Sequence, residues 1–341
     1  MRFIGSKSNL LSKIDSFFKE NKCDGLVLCD LFSGTGCVGR YFKDRFNIIS
    51  NDLMYFSYII QSAGIELDHI PEFQTLKLAG VVDPIQYLSE AETNFSRTPF
   101  ILENYSPFGS CTRQYLTCKN AERIDFIRQT IDEWEDRRLI SRLEYNYLLA
   151  VLIEAIPFVS NIAGTYGAFL KHWDKRSLKD IKLEHLTVGQ NFGENHCYSS
   201  DGLTVLGQIS GDILYLDPPY NSRQYVPNYH LLETVARYDY PAISGKTGLR
   251  PYTNQRSALC QKSKAYDYLD KVIEAANFRH IVLSYSSEGI LSKDEIICIL
   301  ASHCDPESIN LEEIPYRRYK HKKNDNTPEL FEYLFYARKI K

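Results

Sequence analysis

Apolar residues recur along this chain with two different periods, and the change between them divides it. Leu10, Leu11, Ile14, Phe17 and Phe18 share one face of a helix predicted over 8–20. The run 25–32 (GLVLCDLF) is short and almost wholly apolar, as in a strand buried on both faces, and it stops at Ser33-Gly34-Thr35-Gly36. Val38, Tyr41 and Phe42 mark a following helix, and 46–50 a second strand closed by Asn51-Asp52. These pieces predict a βαβ unit with a glycine-rich first turn.

From about 65 to 190 the helical period takes over. Ile124, Ile127, Ile131 and Trp134 recur at helical spacing after Asn120, and 145–156 is a second apolar helix. A Gly, Lys and aromatic segment, 160–182, leads back to the α/β rhythm near 197–200. A strand at 212–216, helices around 228–238 and 265–276, and a strand at 280–285 follow. Two late segments, near 308–317 and 330–338, read as an antiparallel pair that closes the sheet. The expected fold class is α/β: a doubly wound, Rossmann-like sheet with an antiparallel closing strand and a helical insertion domain. The expected division is 1–64 with 191–341 as the sheet domain, and 65–190 as the insertion.

Charge is nearly balanced, 40 basic against 43 acidic residues for a net −3, so any basic surface has to be local. Nine cysteines form no CxxC pair and leave one over, which fits free thiols in a reducing compartment. The N-terminus is amphipathic rather than signal-like, and no apolar run reaches the ~18 residues that span a bilayer. A soluble, cytoplasmic protein is expected.

The glycine turn lies in Asp30-Leu31-Phe32-Ser33-Gly34-Thr35-Gly36-Cys37-Val38-Gly39, a G-x-G-x-x-G between strand and helix. Such glycines permit a tight turn and close approach of backbone to ligand. Asp52 ends the next strand, where an acid takes both hydroxyls of a ribose. These features fit a nicotinamide dinucleotide as well as S-adenosylmethionine. Asp30 tilts the balance, because its charge disfavours a pyrophosphate and suits an ammonium or sulfonium.

The second indication is Asp217-Pro218-Pro219-Tyr220 at the end of the apolar run 213–216. Asp217 and the Pro218 carbonyl can each accept one N–H of a planar exocyclic amine. The prolines fix φ and donate nothing, and Tyr220 offers a face worth ~1–3 kcal/mol to a stacked base. The bland alternative is an ordinary acidic, proline-containing turn.

With Arg2-Phe3-Ile4-Gly5-Ser6-Lys7, the loop 30–39, Asn51-Asp52, the segment 198–201, the run 217–225 and Leu283-Ser284-Tyr285-Ser286, the chain resembles the Dam-like (alpha-group) adenine-N6 DNA methyltransferases. The resemblance runs end to end. It implies a Rossmann-like methyltransferase sheet, S-adenosylmethionine as cofactor and target recognition by 65–190. It implies that Asp217, Pro218, Pro219 and Tyr220 hold a flipped adenine. Phe3, Gly5, Ser6, Lys7, Asp30, Phe32, Ser33, Gly34, Gly36, Asp52, Asp201 and Asp217 would surround the cofactor. Within that set Lys7 would meet the methionine carboxylate and Asp201 the cofactor's adenine amine. Each has a plainer counterpart: Lys7 as a solvated turn residue, Asp201 as the N-cap of the helix after it.

For double-stranded DNA, the candidate contacts are Arg223 and Tyr225 beyond the corner, with Asn228 and Tyr229 as further lining. Arg317, Arg318 and Lys320 lie in the basic, aromatic-rich stretch 316–323, and Lys171 and Arg176 in the insertion. His172, Trp173, Lys175, Arg113 and Tyr115 are further candidates. Gly245-Lys246-Thr247 lacks the first glycine of a phosphate loop. His230 with Glu233 lacks the further ligands of a metal site, and no metal is expected. Ser284-Tyr285-Ser286 has no triad partner and reads as a wall of the cofactor site. A restriction-modification role, with an endonuclease acting on the same site and a monomeric enzyme, is the leading expectation. The alternatives are RNA-adenine or cytosine-N4 methylation, a nicotinamide-dependent oxidoreductase, or an inactive DNA-binding module.

Overall fold

The computed structural model describes residues 5–316 and 330–340. The chain forms two compact units, each built from separated stretches: 5–53, 191–224 and 256–340 in one, 54–190 and 225–255 in the other.

In chain order the elements are α1 (Leu11–Glu20), β1 (Val27–Asp30), α2 (Cys37–Phe42), β2 (Asn47–Asn51), α3 (Tyr55–Gln61), α4 (Gln74–Leu78), α5 (Pro84–Glu90), α6 (Phe100–Tyr105), α7 (Cys118–Asp136) and α8 (Arg142–Val159). Then come β3 (His196–Tyr198), α9 (Gly202–Leu206), β4 (Gly211–Leu216), α10 (Val226–Arg237), α11 (Lys262–Ala275), β5 (Phe278–Ser286), α12 (Lys293–His303), β6 (Asn310–Tyr316) and β7 (Leu330–Arg338).

The seven strands among the described residues form one sheet of order β3-β2-β1-β4-β5-β7-β6. β3, β2, β1, β4 and β5 run parallel, while β7 is antiparallel to both β5 and β6. The expected α/β sheet with its antiparallel closure is therefore the one observed. β1 neighbours β2 on one side and β4 on the other, and chain order reverses there, the switch point beyond whose strand ends such sheets bind ligands. Asp30 stands opposite Tyr215 in this register. Asp212 ties the other end of the pair, its Oδ2 accepting the amides of Leu26 and Val27 at 2.7 and 2.9 Å. Ile14, Phe17 and Phe18 of α1 are buried, with Phe18 stacked on Phe42 at 5.0 Å.

The second unit is helical, with α3 to α8 and α10 around a continuous apolar core. α8 starts from a capping box in which Ser141 and Glu144 satisfy each other's amides. Two helices lack any local side-chain cap and take theirs from buried acids far along the chain. Asp125 of α7 accepts the Ile101 and Leu102 amides at the start of α6. Glu233 of α10 accepts the Tyr55 and Phe56 amides at the start of α3. Beyond α8, residues 160–195 contain no helix or strand, and the sequence reading of 65–190 as helices with loops meets a long loop there. No described helix is long and apolar enough to cross a membrane. All nine cysteines are free thiols.

Candidate active site

The glycine turn takes its shape from backbone that side chains avoid. Gly34 and Gly36 have φ of 55° and 72°, in the left-handed region, and Gly36 precedes the first residue of α2. Ser33 pins the turn, its amide donating to the Asn51 carbonyl at 2.9 Å and its Oγ to the Asp30 carbonyl at 2.7 Å. Asp52 follows β2 directly, and its Oδ2 accepts the Gly34 amide at 3.0 Å. Phe32 is half-buried in this turn.

Asp30, at the end of β1, is 1% exposed, and neither carboxylate oxygen accepts a hydrogen bond of normal geometry. Burial pushes its pKa up to about 8, with Asp217 and Asp52 repelling the charge further. Ser33 and the Gly39 amide pull the other way without restoring the usual carboxylate range, so the position of this buried acid makes sense for a cationic ligand. Gly34, Gly36, Asp30 and Asp52 thus fit a group that is positive near Asp30 and rich in hydroxyls near Asp52.

Asp217 leaves β4 where the sheet ends. Burial, the largest influence, lifts its carboxyl to about 6; Lys7 pulls it down and Glu332 pushes it up. At neutral pH it is largely ionised and able to accept. The Pro218 side chain is buried, while Pro219 and Tyr220 are half-buried. The Tyr220 ring meets Tyr285 edge-on at 6.1 Å, and its carbonyl accepts the Ile290 amide at 2.9 Å. Gln224 clamps the outgoing chain through the Ser257 amide and carbonyl, at 2.8 and 3.0 Å.

Lys7 corrects the reading of a solvated turn residue. It is 4% exposed, and its Nζ lies 2.7 Å from Asp217 Oδ1, 2.9 Å from Glu332 Oε1 and 5.8 Å from the centre of the Tyr220 ring. Gly5, with φ of 80°, and the exposed Ser6 precede it. Glu332, which the sequence reading missed, is fixed by Ser284 Oγ at 2.8 Å. Its signal was readable: alternation along β7 puts it on the face of Leu334 and Tyr336, an acid where an apolar residue is usual.

Asp201 does what its plainer reading expects, capping α9 through the Leu203 amide at 3.0 Å. Its Oδ2 also accepts the Tyr268 hydroxyl at 2.7 Å, a partner in α11 that the sequence reading did not find.

The candidate DNA contacts scatter. Arg223 and Lys171 are exposed, and Arg176, also exposed, turns Nη2 to the Ser160 carbonyl at 3.3 Å. Tyr225 is half-buried and stacks with Tyr229 at 6.4 Å. Three of these expectations need correction, because packing has claimed the side chains. Tyr115 is fully buried and donates to the Tyr166 carbonyl, and Tyr229 is 1% exposed against Phe56. Arg113 spends its guanidinium on the carbonyls of Asn104, Gly245 and Lys246. Phe3, Arg317, Arg318 and Lys320 lie outside the described residues. Among the described residues no group of three His, Cys, Asp or Glu side chains could hold a metal ion.

Comparison with known proteins agrees with this geometry. A family model described as D12 class N6 adenine-specific DNA methyltransferase matches residues 3–299. Over 340 residues, 99% of the chain, the sequence is 53% identical to Type II methyltransferase M.FokI of Planomicrobium okeanokoites, of which it covers 53%. It is 41% identical to modification methylase StsI of Streptococcus sanguinis, over 99% of the chain and 52% of that protein. The chain thus spans about half the length of these two relatives. Against Type II methyltransferase M.NlaIII of Neisseria lactamica it is 38% identical, over 98% of both chains. The chain belongs to the family of D12 class N6 adenine-specific DNA methyltransferases.

Proposed function

We propose that the protein transfers a methyl group from S-adenosylmethionine to the N6 amine of an adenine flipped out of double-stranded DNA. The observation that carries this reading is the pairing of Asp217-Pro218-Pro219-Tyr220 with the glycine turn at the carboxyl ends of the adjacent strands β4 and β1. Asp30, Gly34, Gly36 and Asp52 are the cofactor-binding groups, with Phe3, Gly5, Ser6, Lys7, Phe32, Ser33, Asp201 and Asp217 around them. When bound, the cofactor supplies an activated methyl on a sulfonium, so the protein has no leaving group to activate.

The chain's own task is to improve a poor nucleophile. The adenine amine delocalises its lone pair into the ring. Asp217 accepts one of its N–H groups and the Pro218 carbonyl the other, which favours a pyramidal nitrogen and stabilises the positive charge that develops on it. Tyr220 stacks on the base and offsets part of the few kcal/mol that flipping costs. Asp217 need not be a strong base, since the proton can leave after transfer.

The helical unit, with Lys171 and Arg176, and the exposed Arg223 are the proposed DNA-facing parts, together with Tyr225. A cytoplasmic monomer, protecting DNA from an endonuclease that cuts the same site, is the setting we infer from relatives named as Type II methyltransferases. Labelled methyl transfer into duplex DNA, followed by nucleoside analysis, tests the reading. N6-methyladenine is the expected product. N4-methylcytosine, label only in RNA, or no label at saturating cofactor would overturn it.

A further inference from the structure

We infer that Glu332 is a positioning residue of this site: it shares Lys7 with Asp217, so that Lys7 can release Asp217 to an incoming amine without becoming a stranded buried cation. The inference rests on the methyl-transfer reading above and adds a residue to it.

The geometry is a buried ammonium between two carboxylates, 2.7 Å from Asp217 and 2.9 Å from Glu332. Two of the groups near Lys7 Nζ, Asp217 and the Tyr220 ring, are those assigned to the target adenine; Glu332 is not. An ammonium and an adenine amine both offer N–H to Asp217, so they compete for it. Were Asp217 the sole acid at hand, the base would have to expel a lysine that is 4% exposed into an unpaired state. Stranding a buried charge is strongly unfavourable, and a second carboxylate removes that barrier. Glu332 is itself 6% exposed, on the strand face of Leu334 and Tyr336, where its own burial has to be compensated. Ser284 Oγ and Lys7 both meet its Oε1, which fixes where Lys7 is held.

Other charged and titratable groups surround the pair. Asp30 at the end of β1 repels Asp217, Asp52 acts on Asp30, and the buried Tyr215 and the Cys37 thiol also feel Asp217. Glu332 differs from them in touching Lys7. With its charge removed, Lys7 commits to Asp217, and Asp217 gives up its proton more readily while accepting a substrate N–H less readily.

The test compares wild type with Glu332→Gln, Glu332→Asp, Ser284→Ala and the double variant Lys7→Gln/Glu332→Gln. Two readouts are taken: carboxyl-carbon NMR titration of Asp217, assigned with Asp217→Asn, and kcat at saturating cofactor. Wild-type Asp217 should titrate near pH 6. Glu332→Gln should move that midpoint down by about one unit and lower kcat about tenfold. Glu332→Asp should recover part of both, and the double variant, in which no ammonium pulls Asp217 down, should titrate above wild type and recover kcat at saturating cofactor once the pH exceeds that midpoint, because no cation then competes for the ionised acid. Ser284→Ala, which removes one hydrogen bond, should move both readouts in the same direction by less, and it serves if Glu332→Gln does not fold. An unmoved midpoint, or a kcat loss the double variant does not relieve, overturns the inference. The titration requires no turnover: a shifted midpoint in a chain that methylates nothing sinks the functional reading, and an unshifted one in an active enzyme sinks this inference alone.

Discussion

The Tyr268 hydroxyl donates to Asp201 Oδ2 at 2.7 Å while Oδ1 of the same carboxylate caps α9, so both oxygens have a protein partner. Capping and cofactor contact can therefore be separated by substitution. Asn caps a helix about as well as Asp, whereas Ala costs ~1 kcal/mol. Asp201→Asn should melt within a degree or two of wild type and Asp201→Ala clearly lower, by calorimetry. If Asp201 also receives the cofactor's adenine amine, both variants weaken S-adenosylmethionine binding several-fold by titration. Unchanged affinity in Asp201→Asn would restrict this residue to capping.

Asp217→Ala should abolish methyl transfer, by at least about 10³-fold, because it removes an acceptor aimed at developing charge. Lys7 keeps Glu332 as a partner in this variant, so the fold should persist. Cofactor affinity, measured by calorimetry, should change less than tenfold. Residual turnover at saturating cofactor, with binding as the main loss, would contradict the assigned role.

Asp30 makes the stability of the fold pH-sensitive, with a definite sign. Its folded-state pKa of about 8 lies above the ~3.9 of an unfolded Asp. Between those values the folded state binds the extra proton. The stability it contributes is present below about pH 4 and is lost as pH rises to about 8. Asp30→Asn should therefore raise the melting temperature at pH 8, where the linkage corresponds to roughly 5 kcal/mol of stability, and leave it nearly unchanged at pH 4. A cation bound beside Asp30 should also expel its proton, so S-adenosylmethionine titrations at pH 7 in buffers of different ionisation heat should report proton release. Equal heats across buffers would show that the cation lies elsewhere.

Glu233 is fully buried and carries the start of α3, with Arg237 and Gln255 also on its Oε1. Glu233→Ala should destabilise the helical unit by about 2 kcal/mol, since it strips the cap of α3 and removes a buried acceptor shared with Arg237 and Gln255. Urea unfolding followed by tryptophan fluorescence checks this, as Trp134 and Trp173 both lie in that unit.

The sheet and the corner were legible because their signals are local. A run such as 213–216 ending in Asp-Pro-Pro-Tyr, or a strand ending in two glycines, announces its geometry within a few residues. The start of α3 was illegible because its cap arrives from Glu233, and the same holds for α6 and Asp125. α12 was overlooked although Ser292 and Glu295 form a capping box plain in the sequence. Glu332 and Tyr268 were out of reach as partners, since pairing them with Lys7 and Asp201 requires the fold itself. Tyr115 and Tyr229 show the reverse error, as aromatic residues beside candidate sites are often simply core.

The helical unit is made of two stretches, 54–190 and 225–255, separated by chain that belongs to the sheet. Anyone grafting it onto a related enzyme must carry two gene cassettes, because the first alone would leave α3 without the carboxylate that starts it. Recombination that swaps only the longer stretch should yield misfolded chimeras, whereas a paired exchange keeps the donor's internal contacts whole.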